Sequence, residues 1–246
     1  QSPYTRTCAP TQQGEAKLPA PMPHALQSVY ERFEAMESGE YSASPWPWGY
    51  LTRLTNAFMP GSITMLCAAP GTCKSFAVLQ CLLYWTQSDI PASVIEMEDD
   101  ETFHLSRLVA QLAGDSRLAD PTWLSDNPGA GTSAVEQYAD TIEQVGDRVY
   151  AQPESDRAGF LSKWIESRCE AGDRIIVVDP ITAKDDEDAV YKSDKRFVRS
   201  VERIIRRSGS SLLLVTHPVK GGRKSQDLKQ DPLADFSGGA AWTRHT

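Results

Sequence analysis

The sequence lacks the features that would mark a membrane, disulfide-rich or metal-binding protein. No apolar run among its 246 residues is long enough to cross a bilayer. Its five cysteines are odd in number and include no C-x-x-C pair and no histidine at zinc-ligand spacing, so neither a disulfide framework nor a metal site is indicated. We therefore expect a cytoplasmic protein that makes no contact with a membrane.

The sequence also lacks an excess of positive charge. It has 25 Lys and Arg residues against 33 Asp and Glu residues, which gives a net charge of −8 and a pI near 5.1. A generally basic surface, of the kind that holds duplex nucleic acid, is thereby excluded. Any contact with nucleic acid has to come from a local basic segment.

One stretch, residues 61–85, organises the chain. An apolar run from Ile63 to Ala68 is followed by a loop of small residues and then by Lys74 and Ser75, which open a long apolar segment. This order of strand, loop and helix is typical of a P-loop and predicts a site for ATP and Mg²⁺. Backbone N–H groups and the Lys74 ammonium would bind phosphate oxygens, and the Ser75 hydroxyl would ligate Mg²⁺. The predicted nucleotide contacts are Ala69, Pro70, Gly71, Thr72, Cys73, Lys74, Ser75 and Phe76.

Both glycines of the P-loop pattern G-x-x-x-x-G-K-[ST] are missing. Ala68, one residue after Cys67, holds the first position, and Cys73 holds the second. Alanine is small enough to allow the chain to turn tightly at the end of the strand. Cys73 matters more, because its Cβ takes up room beside the phosphates and a positive φ there costs a non-glycine residue about 1–2 kcal/mol. We expect weakened binding rather than its loss. The open alternative is an ordinary buried strand and helix joined by a Pro-Gly turn.

Acidic residues follow the next β-rich segment, which begins at Ala92. A strand that ends in a carboxylate, as the second strand after a P-loop, can place that carboxylate where it orients the attacking water. Glu98 is the predicted catalytic acid and Glu96 is the alternative. The acids at 99–101 are more simply explained as caps of a helix over 102–112. The buried face of that helix is predicted to be Phe103, Leu105, Leu108, Val109 and Leu112.

Two further strand ends carry polar side chains. Residues 174–179 read RIIVVD, and a run of β-branched residues before an acid is typical of a central parallel strand. Because Asp179 follows Lys74 by about 100 residues in a β/α alternation, it is the predicted Mg²⁺ ligand. A strand from Ser211 to Val215 leads to His217, which either senses the γ-phosphate or caps the strand end.

Several segments read as loops. Residues 113–135 predict a long loop or an inserted turn, and residues 181–194 predict a polar loop before a helix over 195–207. The segment 220–229 is a flexible cationic strip suited to a phosphodiester backbone, with a solvated surface loop as the alternative. Its predicted DNA-binding residues are Lys220, Arg223, Lys224 and Lys229.

Composition divides the chain into three parts. Residues 1–24, rich in Pro, Gln, Thr and Ala, predict a flexible linker or tail, and residues 46–246 form the main domain. Between them, residues 25–45 hold a helix and a lead-in. The helix, over 24–38, has an apolar face that we expect to pack against the protein, with a neighbouring subunit as the alternative. Because the sequence begins at Gln1 rather than Met, we expect it to be part of a longer protein.

The segments APGTCKS, IEMEDDETFHLSRL, RIIVVDP, LLLVTHPVKGG and DFSGGAAWTR, in this order, resemble the RecA-like core of hexameric replicative DNA helicases of the DnaB and plasmid RepA type. The resemblance covers roughly residues 46–246. It implies an α/β fold, a RecA-like P-loop NTPase with a mostly parallel central sheet flanked by helices and truncated at its C-terminus. The spacing between Glu98 and Arg107 matches the RepA-type pattern, which favours Glu98 over Glu96.

The same resemblance implies functional roles. Lys74 and Ser75 would bind phosphate and Mg²⁺, Asp179 would hold Mg²⁺ through water, and His217 would be the sensor. The loops after Asp179 and His217 would face the channel of a hexameric ring and hold single-stranded DNA. Arg244 lies near the region of the arginine finger, but the pattern does not assign that residue.

The resemblance further implies a bacterial, plasmid or phage origin and partners such as primase or replication-initiation proteins. Two alternatives stay open. One is a recombinase or clock-type RecA-like ATPase. The other is a nucleotide-binding assembly or loader module in which Cys73 impairs hydrolysis.

Overall fold

A computed structural model describes residues 24–69, 71–97, 101–151, 157–181 and 187–217, with the backbone alone at 101, 157–158 and 187–196. The chain divides into two compact units, Gln1–Tyr41 and Ser42–Thr246. Each unit is described by itself.

The first unit contains helix α1, Ala25–Glu37, which confirms the predicted helix. The guanidinium of Arg32 lies 3.1 Å from the centroid of the Tyr41 ring. The apolar side chains of α1 are 47–70% exposed, and the packing expected for this face stays a prediction. Those side chains are Leu26, Val29, Tyr30, Phe33 and Met36.

The second unit is built on a parallel sheet. Among the described residues, five strands lie in the order β1-β5-β4-β2-β3, and each neighbouring pair is parallel. Strands rich in Val, Ile and Leu are suited to this arrangement because both of their faces are buried. The predicted mostly parallel sheet is confirmed. The strands are β1 Ile63–Cys67, β2 Ala92–Glu96, β3 Val149–Ala151, β4 Ile175–Asp179 and β5 Ser211–Thr216.

Helices cover both faces of the sheet. Alternate residues of β4 point to opposite sides, so Val177 belongs to one core and Val178 to the other. The first core is closed by helices α3, α4 and α7 and the second by α8 and α9. Their bounds are α3 Lys74–Gln87, α4 Glu101–Ala113, α7 Ala139–Gly146, α8 Arg157–Glu170 and α9 Glu187–Ser208. No helix in the described part of the chain is long and apolar enough to span a membrane.

An aromatic cluster fixes the lead-in to β1, which includes the short helix α2, Gly49–Leu54. Phe58 is fully buried, with its ring centroid 4.5 Å from that of Trp46 and 5.2 Å from that of Trp85. The Trp85 indole N–H donates to the carbonyl of Pro45 at 2.8 Å. Trp46 and Trp85 therefore stabilise the core rather than offering a stacking surface.

The prediction of a long loop or an inserted turn over residues 113–135 is wrong. A 3₁₀ turn, Ser116–Ala119, is followed by α5, Pro121–Asp126, and α6, Ala130–Gln137. The Asp115 side chain caps the 3₁₀ turn by accepting a hydrogen bond from the N–H of Arg117. The Asp120 side chain caps α5 by accepting one from the N–H of Thr122. Asp and Pro are typical of loops, but they are also helix-start residues, and here they start helices.

The polar loop predicted over 181–194 is also too long. Helix α9 begins at Glu187 and has 22 residues, so it starts eight residues before the predicted position. Two acids, Glu187 and Asp188, open its first turn, where negative charge is favoured by the helix dipole. Acids that favour a loop by their polarity here favour the start of a helix.

Candidate nucleotide site

The ends of four parallel strands lie side by side at one edge of the sheet. Cys67 of β1 is aligned with Thr216 of β5, and Glu96 of β2 is aligned with Asp179 of β4. Strand β5 lies between β1, which leads into the predicted phosphate loop, and β4, which ends at Asp179. His217 is the residue that follows β5. Open α/β sheets bind their ligands beyond this carboxyl edge.

The loop between β1 and α3 passes twice through the left-handed region. Gly71 has φ 76° and Cys73 has φ 62°. Thr72 donates its hydroxyl to the carbonyl of Ala69 at 2.6 Å, which closes the turn between them. Alternation of right- and left-handed residues aims successive N–H groups into one concavity, the usual cradle for phosphate. Cys73 is therefore a non-glycine residue in a conformation that costs it about 1–2 kcal/mol, as the sequence pattern predicted for a positive φ.

Lys74, the first residue of α3, lies across this loop. Its side chain is largely buried, and its ammonium donates to the carbonyls of Ala68 at 2.8 Å and Ala69 at 3.0 Å. These two acceptors offset the cost of removing the charge from water. The same charge acts on Cys67, where burial raises the pKa of the thiol and the Lys74 ammonium opposes that rise. The Lys74 ammonium therefore lies against the start of the loop between β1 and α3.

The next residues of α3 are held by α4. Ser75 and Phe76 are half-buried, and the Gln111 side-chain amide donates to the carbonyl of Phe76 at 2.8 Å. The Arg107 guanidinium lies 5.2 Å from the centroid of the Phe76 ring and 3.9 Å from that of Phe103. Arg107 and Gln111 are one helical turn apart, so one side of α4 fixes the start of the P-loop helix.

A buried acid and a buried histidine meet beside the sheet edge. The Nε2 atom of His104 lies 3.2 Å from an Oε atom of Glu96, and both side chains are nearly inaccessible to solvent. The sequence pattern did not predict this pair, although His104 precedes the fully buried Leu108 by one helical turn, which was the available signal. Phe103, predicted to be buried, is 39% exposed because His104 faces the core and the Phe103 ring stacks on Arg107.

Asp179 lies at the end of β4 and is buried. Its backbone carbonyl accepts a hydrogen bond from the N–H of Met97 at 2.8 Å. The Ile181 N–H donates to the carbonyl of Val215 at 2.7 Å, so backbone hydrogen bonds connect this segment to both neighbouring strands. The carboxylate of Asp179 and the hydroxyl of Ser75 are oxygen donors of the kind that Mg²⁺ prefers. Among the described residues, no group of three or more His, Cys, Asp or Glu could hold a metal.

Some predicted residues lie outside the part of the chain that the structure describes, and their roles stay predictions. They include Pro70 of the loop, the catalytic candidate Glu98, and Arg244. The predicted DNA-binding strip lies there too, with Lys220, Arg223, Lys224 and Lys229.

Comparisons with known proteins agree with this geometry. Residues 43–223 match the family AAA_25, described as an AAA domain. No protein of curated function shows a significant match. A solved structure described as an ATPase domain is similar with a TM-score of 0.68 and 12% identity over 89% of this chain and 80% of that one.

A second solved structure, described as a DnaB-like replicative helicase and its interactions with primase, is similar with a TM-score of 0.69 and 13% identity. The match covers 92% of this chain but 55% of that one, so the chain spans little more than half the length of that helicase. These likenesses establish the RecA-like P-loop fold.

Proposed function

Because this chain belongs to the AAA_25 family of AAA domains, we propose that it is the ATPase core of a replicative DNA helicase, which binds ATP and Mg²⁺ and moves along single-stranded DNA as a ring. One observation carries the proposal: Lys74 and the N–H cradle follow β1, and Asp179 ends β4 at the same edge of the sheet, with only β5 between them. A cation, a phosphate cradle and an acid at the same end of one sheet are the parts that phosphoryl transfer needs.

The nucleotide-binding roles follow from the loop. The N–H groups around Gly71 and Cys73 bind phosphate oxygens, and the Lys74 ammonium exchanges its two backbone carbonyls for the β- and γ-phosphates. Ser75 and Asp179 would hold Mg²⁺, and a bound Mg²⁺ would supply positive charge beside the phosphates. The hydroxyl and carboxylate thus orient the cation, while Lys74 stabilises the negative charge directly.

Glu98 positions the attacking water, and His217 responds to the γ-phosphate. The pairing of Glu96 with His104 supports this choice, because a buried carboxylate already in contact with an imidazole is poorly placed to accept a proton from water. His217 follows β5, the strand between the phosphate loop and Asp179, which suits a sensor that passes a signal to the next loop.

The loops that follow Asp179 and His217 face the central channel of a ring, and the strip with Lys220, Arg223 and Lys224 contacts the DNA backbone. A cationic strip among glycines can follow a phosphodiester chain without reading its sequence. The related helicase whose structure includes interactions with primase makes a primase a suitable partner for this chain also.

A second candidate function is favoured by Cys73. Its positive φ, at a position where the P-loop pattern has glycine, suits a chain that binds nucleotide weakly and serves as an assembly or loader module. Such a module would hold ATP but turn it over slowly.

ATP hydrolysis with and without single-stranded DNA tests the proposed function. We expect DNA to stimulate hydrolysis by the full chain, and we expect the triple change Lys220→Ala, Arg223→Ala and Lys224→Ala to remove the stimulation while basal hydrolysis persists. A chain that binds ATP but shows no stimulation by DNA would support the module instead.

A further inference from the structure

Helix α9 carries a basic face in an otherwise acidic chain. Between residues 192 and 207 the sequence has seven Lys and Arg residues against two acids, whereas the whole chain has a net charge of −8. Four of the seven have described side chains, and all four are exposed: Arg199, Arg203, Arg206 and Arg207. These four residues form what we call the arginine face.

The arginine face points away from the core. Val198, Val201 and Ile205 of the same helix are buried against the sheet, so the intervening arginines lie on the opposite side. Steps of four and three residues keep Arg199, Arg203 and Arg206 in one stripe along the helix. The stripe is therefore a continuous surface rather than scattered charge.

Two of the four arginines of the arginine face form ion pairs with acids in the described part of the chain. Arg206 pairs with Glu202 and Arg207 with Glu166, but the two arginine side chains are 72% and 73% exposed, and ion pairs open to water contribute little. Arg203 donates its Nε–H to the carbonyl of Arg199 at 3.3 Å. Within the described ranges, neither Arg199 nor Arg203 forms an ion pair with an acid. Both guanidinium groups are exposed to solvent.

The arginine face is also distinct from the nucleotide site. A Cβ at Gly61, just before β1 begins, would lie 3.5 Å from the Cα of Arg206, so this end of α9 is at the amino edge of the sheet. The phosphate loop and Asp179 lie at the carboxyl edge. None of the four arginines is therefore used by the site described above.

We propose that the arginine face binds the phosphate backbone of single-stranded DNA, an inference that rests on the proposed function. Residues 199–207 span about 12 Å at about 1.5 Å per residue. One strand of B-form DNA presents a phosphate about every 3.4 Å along its axis, or roughly three to four over that length. One guanidinium group can donate two parallel hydrogen bonds to two oxygens of a phosphate. A row of arginines is therefore suited to bind a row of phosphates.

Salt-dependent binding of a labelled oligothymidylate of about 20 nucleotides tests this inference. Removal of two phosphate contacts by Arg199→Gln with Arg203→Gln should reduce the slope of log K against log salt by about 1.4, at about 0.7 per contact. At about 0.1 M salt this corresponds to a roughly 10- to 30-fold loss of affinity. The matched control, Arg53→Gln with Arg117→Gln, removes two exposed positive charges elsewhere and should leave the slope unchanged.

An unchanged slope in the α9 variant, or an equal fall in the control, overturns the inference. The same holds if the slope persists while sedimentation velocity shows a loss of self-association, since the face would then contact an acidic surface of a second copy. If the double variant fails to fold, each single change should lower the slope by about 0.7. ATP binding separates the two proposals: DNA binding through α9 by a chain that does not bind ATP would refute the proposed function alone.

Discussion

His104 places its Nε2 atom 3.2 Å from a carboxylate oxygen of Glu96, and the two side chains are buried together between α4 and β2. Glu96 is aligned with Asp179 on the neighbouring strand, so the pair lies at the level of the predicted Mg²⁺ ligand. Its role is to join α4, which also holds the P-loop helix through Gln111, to the edge of the sheet. The pair is thus a positioning element, because it connects α4 to the end of β2.

Loss of the His104 side chain should destabilise the protein. His104→Ala would leave the Glu96 carboxylate buried without its imidazole partner, at a cost of about 3 kcal/mol in the free energy of unfolding. Urea unfolding measures this cost. His104→Gln, which keeps a side-chain N–H donor, should recover part of the stability, and equal stability of all three proteins would contradict the positioning role.

Changes at the two acids of the β2 segment, Glu98 and Glu96, should affect ATP turnover differently. Glu98→Gln should preserve ATP binding and stop turnover, because the amide cannot accept a proton from water. Glu96→Gln should keep most of the turnover. Binding of a fluorescent ATP analogue and steady-state phosphate release measure the two effects, and a loss of turnover confined to Glu96→Gln would show that Glu96 is the catalytic acid.

Lys74→Ala should lower the affinity for ATP by about 100-fold. Charge-assisted hydrogen bonds contribute about 1.5–3 kcal/mol each, and the ammonium would make more than one with the phosphates. Isothermal titration calorimetry measures the affinity. Lys163→Ala, an exposed lysine on α8, is the control, and unchanged affinity in Lys74→Ala would remove the basis for the phosphate site.

Alkaline pH should destabilise the fold through Cys81. Burial raises the pKa of this thiol to about 12 from 9.0, so the folded state retains a proton that the unfolded state loses. The thiol's contribution to stability is therefore complete below pH 9 and disappears as the pH rises toward 12. Between these two pH values the free energy of unfolding should fall by about 1.4 kcal/mol per pH unit through this thiol.

Cys81→Ala isolates this effect, since its cavity lowers stability at every pH but removes the titrating thiol. Chemical unfolding of both proteins between pH 8 and 11, about two units beyond the ordinary pKa of a thiol, gives the difference in slope. Identical slopes would show that the thiol does not titrate with unfolding.

Sequence pattern predicted the sheet well because its strands are short apolar runs that end in polar residues. Asp179 after four β-branched residues, and Lys74 after a small-residue loop, each follow from local chemistry. The pattern was less informative over 113–135 and 181–194, where acids and prolines serve equally as loop residues and as helix starts. Only packing against α4 and the sheet distinguishes the two.

The candidate site was predicted in outline but not in its supporting contacts. Local pattern places Lys74 and Cys73 in a phosphate loop, and the positive φ of Cys73 follows from the position that glycine usually holds. The contact between His104 and Glu96 joins residues on different elements, as does the hydrogen bond from Gln111 to Phe76. Such contacts depend on the crossing of α4 over the sheet, which periodicity within one helix cannot specify.

ATP hydrolysis by this chain and by Cys73→Gly, each with and without single-stranded DNA, tests the central claim most directly. Glycine should relieve the strain at φ 62° and enlarge the phosphate cradle, so we expect both proteins to hydrolyse ATP, DNA to accelerate both, and the glycine variant to be faster. If neither protein binds or hydrolyses ATP, the account of this edge of the sheet as a nucleotide site is contradicted.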